Sequence, residues 1–156
     1  MDGLKDPATI KMLQELGAFI LAGANGAADV KQMVDMICEA RGWRWVGVYK
    51  VCRGELAIVA GSGDTPPCYQ RFPVTQGLCG AVVESQKTLV VDDVREDERY
   101  LPTFNSTLSE IVVPITSQSD RVVGVLSAES EKLSAFSDED REVLERVALL
   151  MGHAFK

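Results

Sequence analysis

The spacing of apolar residues in the first part of the chain is helical. Apolar positions recur every three or four residues from 7 to 22 and again from 29 to 41, on either side of the break AGANGA. Pro7 suits the first turn of a helix, and Gly42 lies where the second pattern stops. The chain is therefore predicted to begin with two amphipathic helices, each with an apolar stripe that must be buried.

Beyond Gly42 the apolar pattern takes the alternation of β-strands. The predicted strands, in chain order, are 43–51, 55–62, 69–75, 88–94, 110–118 and 121–130. Short turns join the first two strands and the last two, so each of these pairs is predicted to form a hairpin. Pro73 has no N–H for strand pairing, so the third strand is predicted to lie at a sheet edge or to contain a bulge. A short helix at 76–87 precedes the fourth strand, and a polar loop at 95–109 follows it.

The last part of the chain predicts a capped helix. Ser137 is followed three positions later by Asp140, which is the pattern of an N-cap with acidic residues at the positive end of the helix dipole. The helical apolar stripe that follows consists of Val143, Val147, Leu150 and Met151. Hairpins between terminal helices predict an α+β fold with a central antiparallel sheet of about six strands.

The first predicted strand carries apolar residues on both of its faces. One face has Trp43, Trp45, Gly47, Tyr49 and Val51, and the other has Val46 and Val48. The terminal helices are expected to cover one face of the sheet, and the short helix and the 95–109 loop to close over the other. A sheet roofed by loops is a common way to build a small-molecule cavity, so a ligand pocket is predicted on the loop side.

Composition and charge are those of a globular protein that does not bind polyanions. The 156 residues, expected to form a single domain over 1–156, are 46% hydrophobic and 25% charged, with a net charge of −7. This charge argues against nucleic acid or an anionic membrane surface as the main partner. The apolar run LGAFILAGA has nine residues, too few to span a bilayer, and no basic leader precedes it, so a cytoplasmic protein is expected.

Neither a metal site nor a cofactor is expected. The chain has one histidine, His153, and no Cys-x-x-Cys pair, which leaves a zinc ion without a ligand set. The stretches GSGD and QGLCG do not match a phosphate-binding loop, and tight turns explain their glycines. In a cytoplasmic protein of this length the four cysteines are expected to be free thiols.

The order of elements, together with the stretches SEIVVPI, VVGVLSAES and FSDEDREVLERVA, resembles the GAF domain family over residues 8–156. This resemblance implies a six-stranded antiparallel sheet with helices behind it and a ligand pocket in front. It also implies a small ligand, because members of the family mostly sense molecules such as cyclic nucleotides, tetrapyrroles, oxoacids and anions.

Three stretches resemble one enzymatic branch of that family, the stand-alone free methionine-(R)-sulfoxide reductases. RWVGVY is similar to their first strand with its tryptophan and tyrosine, PVTQGLCG to their turn with a cysteine, and SEIVVP to the strand that carries their glutamate. The resemblance implies that Trp45, Tyr49, Cys79 and Glu110 belong to the pocket.

The chain departs from the reductase pattern at three places. The position of the catalytic cysteine, six residues before the serine of SEIV, is Thr103, whose hydroxyl cannot form the sulfenic acid and disulfide that the reaction requires. Two aspartates end the following strand in the reductases, where they hold the substrate amine and the sulfoxide. The matching residues here are Ser127 and Glu129. Cys68 and Cys79 are also separated by one residue more than in the reductase pattern.

Each candidate residue has an alternative explanation in packing. Trp45 and Tyr49 lie four apart on one strand face and form either an aromatic wall of the pocket or core on the helix side. Glu110 either lies at the pocket rim to bind a ligand amine or caps a loop. Glu129 either contacts the ligand, faces solvent or braces a loop. Cys79 is either a redox thiol whose pKa is lowered by the helix N-terminus or a small apolar residue under the pocket.

The function that the sequence favours is binding of a small polar ligand by a sensory or regulatory protein in signal transduction, without catalysis. The expected ligand-binding residues are Trp45, Tyr49, Cys79, Thr103, Glu110 and Glu129. One alternative is a divergent methionine sulfoxide reductase that uses Cys79, with Cys68 as the resolving thiol. Another is a protein-interaction module with a vestigial cavity. Besides the ligand, the expected partners are a second copy of the chain and a signalling protein.

The second copy is expected to pair through the terminal helices, as GAF domains commonly do. In the sequence pattern of the last helix, Leu149, Met151 and Phe155 lie to the side of the line formed by Val143, Val147 and Leu150. Apolar surface should therefore remain after that helix packs on the sheet, which favours a homodimer.

Overall fold

The fold is described by a computed structural model over residues 5–154. The helices are α1 (Pro7–Leu21), α2 (Gly26–Arg41), α3 (Gly77–Ser85) and α4 (Asp138–Gly152). The strands are β1 (Trp45–Cys52), β2 (Glu55–Gly61), β3 (Arg71–Pro73), β4 (Leu89–Val91), β5 (Ser109–Thr116) and β6 (Val122–Ser130), and a 3-10 turn (Val94–Glu96) follows β4. The expected dimer contact Phe155 lies outside the described residues. None of the described helices is long and apolar enough to cross a membrane.

The strands form one antiparallel sheet in the order β3-β2-β1-β6-β5-β4, which confirms the α+β prediction. The two predicted hairpins, β1–β2 and β5–β6, are confirmed, and β1 and β6 lie side by side at the centre. Trp45 of β1 is opposite Glu129 of β6, and Glu110 of β5 is opposite the same Glu129. Opposed residues of antiparallel strands share a sheet face, so these three side chains form one row across three strands.

One face of the sheet is covered by helices, as predicted. α2 packs against β1 and β2, α4 packs against β5 and β6, and α1 lies across α2 and α4. The core between these layers includes Val48 of β1, Ile37 of α2 and Val147 of α4, all of them fully buried. Burying a side chain of this kind stabilises the fold by about 1.5–3 kcal/mol. Because the helices use their apolar stripes here, the other face of the sheet is left to α3 and the connections between strands.

A largely buried ion pair joins three helices at one corner of this layer. The predicted cap of α4 is confirmed, because the Ser137 hydroxyl accepts from the Asp140 N–H and the Asp140 carboxylate accepts from the Ser137 N–H. Arg41 at the end of α2 donates to the same carboxylate and, at 2.8 Å, to the hydroxyl of Thr9 in α1. Removing one partner of such a pair leaves an uncompensated charge, so Arg41 and Asp140 hold the three helices in place.

Several predicted bounds are wrong. β1 begins at Trp45, and Trp43 instead packs on the helix side, edge-on to Phe136 with 5.4 Å between ring centroids. The third strand has only three residues, but it lies at the sheet edge as predicted, where the missing N–H of Pro73 is tolerated. α2 begins at Gly26, before the predicted start at residue 29. Asn25, immediately before it, has the extended conformation of an N-cap residue. β4 ends at Val91, before the 3-10 turn.

The apolar surface predicted on α4 is smaller than expected. Leu149 is 74% exposed, whereas Met151 is completely buried in the core with the other helices. Met151 was expected to be free for a partner, and this is wrong, because the actual angular position of the helix turns it toward the sheet. On α1, Leu21 is 90% exposed.

Candidate functional site

The sheet face opposite the helices carries a second buried cluster. It includes Trp45 and Tyr49 of β1, Cys79 of α3 and Phe104. Residues 92–108, between β4 and β5, lie over this face and are called the roof below. Of the two explanations for Trp45 and Tyr49, the position on the pocket side is therefore correct.

A small cavity lies between the roof and the sheet. Its volume is about 20 Å³, which is room for about one water molecule. Its walls include Tyr49, Phe72, Cys79, Tyr100, Thr103 and Glu110. Four of the predicted ligand-binding residues are thus brought together. The other two, Trp45 and Glu129, lie in the same cross-strand row as Glu110, which is part of the cavity wall.

Two buried carboxyl groups are opposite each other on β5 and β6. Glu129 is fully buried, and its Oε1 accepts a 2.6 Å hydrogen bond from Thr107 of the roof. Glu110 is 4% exposed, and its Oε2 accepts a 2.8 Å hydrogen bond from Ser127. Glu129 Oε2 has no hydrogen-bond partner within residues 5–154. The expected rim position of Glu110 is therefore wrong, and so is the solvent-facing alternative for Glu129, which braces the roof.

Burial changes the ionisation of both carboxyl groups. Loss of hydration raises the pKa of Glu110 well above its usual range, and the negative charge of Glu129 raises it further. Loss of hydration also raises the pKa of Glu129, to about 7. The hydroxyls of Thr107 and Thr103 act to lower that pKa, as does the charge of Arg44. Near neutral pH the pair therefore keeps a proton, and one carboxyl group can donate a hydrogen bond while the other accepts.

Trp45 has a second buried polar atom without a partner on this face of the sheet. Its side chain is 1% exposed and contacts Phe104 edge-on, with 5.4 Å between ring centroids. Its Nε1–H finds no acceptor in the described part of the chain. Burying an unpaired polar group costs about 1–3 kcal/mol. Trp45 Nε1 and Glu129 Oε2 are thus a donor and an acceptor that a ligand can satisfy.

Cys79 is a buried thiol rather than an activated one. It lies in the first turn of α3 and in the cavity wall, with 6% of its surface exposed. Loss of hydration raises the pKa of the Cys79 thiol well above its usual range, and the charges of Glu110 and Glu129 act in the same direction. A helix N-terminus contributes only about 0.3–1 kcal/mol to an anion, which does not offset this. Of the two explanations for Cys79, the raised pKa and the burial favour a small apolar residue packed under the pocket.

Cys68 is exposed and lies beside the roof. Its backbone N–H donates a 2.9 Å hydrogen bond to the carbonyl oxygen of Thr103. This bond ties the connection before β3 to the roof at Thr103. The four cysteines of the chain are free thiols in the structure. The described residues contain no cluster of three or more His, Cys, Asp or Glu side chains placed to hold a metal ion.

Several residues of the site are not singled out by the sequence pattern. Thr107, Tyr100 and Phe104 lie in a polar loop without periodicity, and only the folded roof brings them to the sheet. Burial raises the pKa of Tyr100 to about 12. Arg44 stacks its guanidinium on Phe104, 4.7 Å from the ring centroid, and so holds the roof from the side of β1. The available signal is the presence of two aromatic residues, Tyr100 and Phe104, in a mostly polar stretch.

Known proteins with similar sequences and structures share this architecture. A family model described as the GAF domain matches residues 29–155. GAF domain-containing protein A of Dictyostelium discoideum is 27% identical over 97% of this chain and 94% of its own length. The free methionine-R-sulfoxide reductase of Saccharomyces cerevisiae is 29% identical over 69% of this chain and 61% of its own length. The X-ray structure of a free methionine-R-sulfoxide reductase from Neisseria meningitidis, in complex with its substrate, is 30% identical with a TM-score of 0.86, covering 94% of this chain and 87% of that chain.

The raised pKa of Glu129 predicts a pH-dependent stability. The folded protein holds the Glu129 proton up to about pH 7, whereas the unfolded chain releases it near its ordinary pKa of 4.5. The stabilisation is therefore complete below pH 4.5 and is lost as pH rises through 7. Glu129→Gln keeps the acceptor for Thr107 but removes the titration. Between pH 5 and pH 8, as denaturant unfolding will measure, the variant should gain up to about 3 kcal/mol relative to the wild type.

The matched control for this prediction is Glu84→Gln, which changes an exposed carboxylate on α3. Its free energy of unfolding should follow the wild-type curve with a constant offset. If the Glu129→Gln curve also ran parallel to the wild type, Glu129 would have to be ionised throughout, and the assigned protonation of the pair would be wrong.

Proposed function

This chain belongs to the GAF domain family, and we propose that its cavity binds free methionine sulfoxide or an amino acid of the same size and charge. One observation carries the proposal: Trp45 and Glu129 are opposite each other in the strand register, and Trp45 Nε1 and Glu129 Oε2 are both buried without a hydrogen-bond partner in residues 5–154. The reductases from yeast and from Neisseria meningitidis support this class of ligand.

Methionine sulfoxide has groups that match the polar atoms of the site. Its sulfoxide oxygen accepts hydrogen bonds and suits Trp45 Nε1–H, and its ammonium donates and suits Glu129 Oε2. Tyr49 and Phe72, whose rings meet at 5.5 Å, offer an apolar wall for the methyl and thioether part. An aliphatic amino acid also has the ammonium group but offers no side-chain acceptor to Trp45 Nε1–H, and this difference favours methionine sulfoxide.

The charge of the carboxyl pair fits a ligand with one ammonium group. Because the pKa of Glu110 is raised well above its usual range and that of Glu129 is about 7, the row carries at most about one negative charge near neutral pH. Ser127, at a position where the reductases have an aspartate, adds a hydroxyl donor to Glu110 instead of a further charge. An acidic amino acid would bring a carboxylate next to this charge and should bind less well.

Ligand entry requires the roof to open. The cavity of about 20 Å³ is far too small for an amino acid. The contacts that close it include the Thr107–Glu129 hydrogen bond and the Phe104–Trp45 and Arg44–Phe104 ring contacts. These contacts are few, so a ligand that replaces them with its own can hold the roof in a more open position.

Reduction of the bound sulfoxide is the second candidate function. The comparisons support a relation to the reductases better than a role as a signalling sensor. In such a reaction the Cys79 thiolate would attack the sulfoxide sulfur, and the oxygen would remain on Cys79 as a sulfenic acid while free methionine leaves. The Cys68 thiol would then form a disulfide with loss of water, and an external dithiol would reduce it. Position in the cavity wall favours Cys79, whereas its raised pKa opposes it.

Binding is tested by calorimetric titration with methionine sulfoxide, methionine and aspartate. We expect methionine sulfoxide to bind about tenfold more tightly than methionine, because methionine lacks the acceptor for Trp45 Nε1–H. Trp45→Phe should abolish this difference, whereas Trp43→Phe, which changes the tryptophan on the helix side, should preserve it. Absence of binding by all three amino acids would reject the proposed ligand class.

Turnover is tested with thioredoxin, its reductase and NADPH. We expect no reduction of methionine sulfoxide above background by the wild type, because the residue at the nucleophile position is Thr103. Thr103→Cys should gain activity, and Ser127→Asp should increase it further. Wild-type turnover that is abolished by Cys79→Ser would instead establish the reductase candidate, with Cys79 as the nucleophile.

We further propose that the protein is a homodimer that pairs through α1 and α4. Leu21 and Leu149 are 90% and 74% exposed on these helices, and a second copy would cover them. Light scattering at micromolar concentration should give twice the mass of the chain, and Leu149→Arg should give the monomer. Leu133→Arg, at an exposed leucine outside the helices, should leave the dimer intact. A monomeric wild type would contradict the proposal.

A further inference from the structure

The indole ring of Trp45 lies on a pair of glycines. Gly47 of β1 and Gly61 of β2 are opposite each other in the register of these strands. A Cβ atom at position 47 would lie 2.0 Å from Cη2 of Trp45, and one at position 61 would lie 2.8 Å from both Cζ2 and Nε1. Both distances are far below van der Waals contact, so the ring lies flat on the sheet in a place that any side chain at these positions would occupy.

Backbone conformation does not explain the two glycines. The described glycines with positive φ are at positions 23, 26, 42, 54, 63 and 77, and neither Gly47 nor Gly61 is among them. A glycine inside a strand weakens the strand and commonly marks a close approach of another group. Here the approaching group is the indole of Trp45. Gly47 and Gly61 therefore leave room for the indole ring of Trp45, because neither residue has a side chain.

The position of the ring determines the space on the ligand side of the sheet. The ring already contacts Phe104 of the roof at 5.4 Å and Tyr49 at 6.4 Å between centroids. The sheet backbone blocks movement in the opposite direction. A side chain at position 61 would push the ring toward the roof, and it would do so at the pyrrole edge that carries Nε1.

We propose that Gly47 and Gly61 are positioning residues that set the depth of the ligand site and the direction of the Trp45 N–H. This inference rests on the proposed binding of methionine sulfoxide. Neither glycine touches the ligand, and both act through the indole. If the indole ring were displaced from the surface formed by Gly47 and Gly61, it would fill space that the ligand needs. Its N–H would also turn away from the sulfoxide oxygen.

The experiment is a double-mutant cycle between positions 45 and 61, measured as the dissociation constant for methionine sulfoxide. Gly61→Ala is used because the milder contact at 61 favours a folded variant. Alone it should weaken binding by about tenfold, which corresponds to one lost buried hydrogen bond. In a Trp45→Phe background, whose side chain lacks the pyrrole edge, Gly61→Ala should weaken binding by less than about twofold.

Gly17→Ala is the matched control, because a Cβ atom at position 17 would meet nothing within 4 Å. Its dissociation constant should equal that of the wild type. Ring position is followed separately by the fluorescence of Trp45 in a Trp43→Phe background, where Gly61→Ala should shift the emission maximum. Thermal unfolding identifies any variant that has lost the fold.

The possible outcomes separate this inference from the proposed function. Equal dissociation constants for Gly61→Ala and the wild type would overturn the positioning role, and so would an equal loss of affinity in the Trp45→Phe background. An unchanged emission maximum would overturn it as well. Absence of methionine sulfoxide binding by the wild type would instead overturn the proposed function itself.

Discussion

The pairing of β6 with both β1 and β5 is the constraint on which the site depends. It places Trp45, Glu129 and Glu110 in one row on the face that the helices leave open. The neighbouring row, Val46, Ala128 and Ile111, points to the other face and is completely buried under the helices. A slip of one residue would exchange the two faces, exposing this core and burying carboxyl groups in it. The apolar packing on the helix side thus fixes the geometry on the ligand side.

Burial under the roof raises the pKa of three ionisable groups of the site. Loss of hydration raises the pKa of Glu110, of Glu129 and of the Cys79 thiol, because each loses more as an anion than as a neutral group. The roof that excludes water is itself bonded to Glu129 through Thr107. The residues that close the roof therefore also exclude water from the carboxyl pair and favour its protonated form.

The proposed ligand-binding residues and Thr103 are held by different parts of the fold. The aromatic residues and the carboxyl pair are held by the central strands, which the register fixes firmly. Thr103 lies on the roof, where its carbonyl oxygen is tied to Cys68 and where no strand pairing constrains the side chain. A residue on such a segment can be exchanged without disturbing the sheet. The sheet therefore constrains the proposed binding residues more strongly than it constrains Thr103.

The sequence by itself determined the hairpins, the capped last helix, the α+β class and the two-faced sheet, because apolar periodicity and caps are local properties of the chain. It did not determine on which face Trp43 lies, because that residue precedes the strand whose alternation it was assigned to. The burial of Glu129 and the raised pKa of Cys79 were decided only when the roof closed over them. Both depend on contacts between residues far apart in the chain, such as Thr107 with Glu129. The local spacing of apolar and polar residues does not predict such contacts.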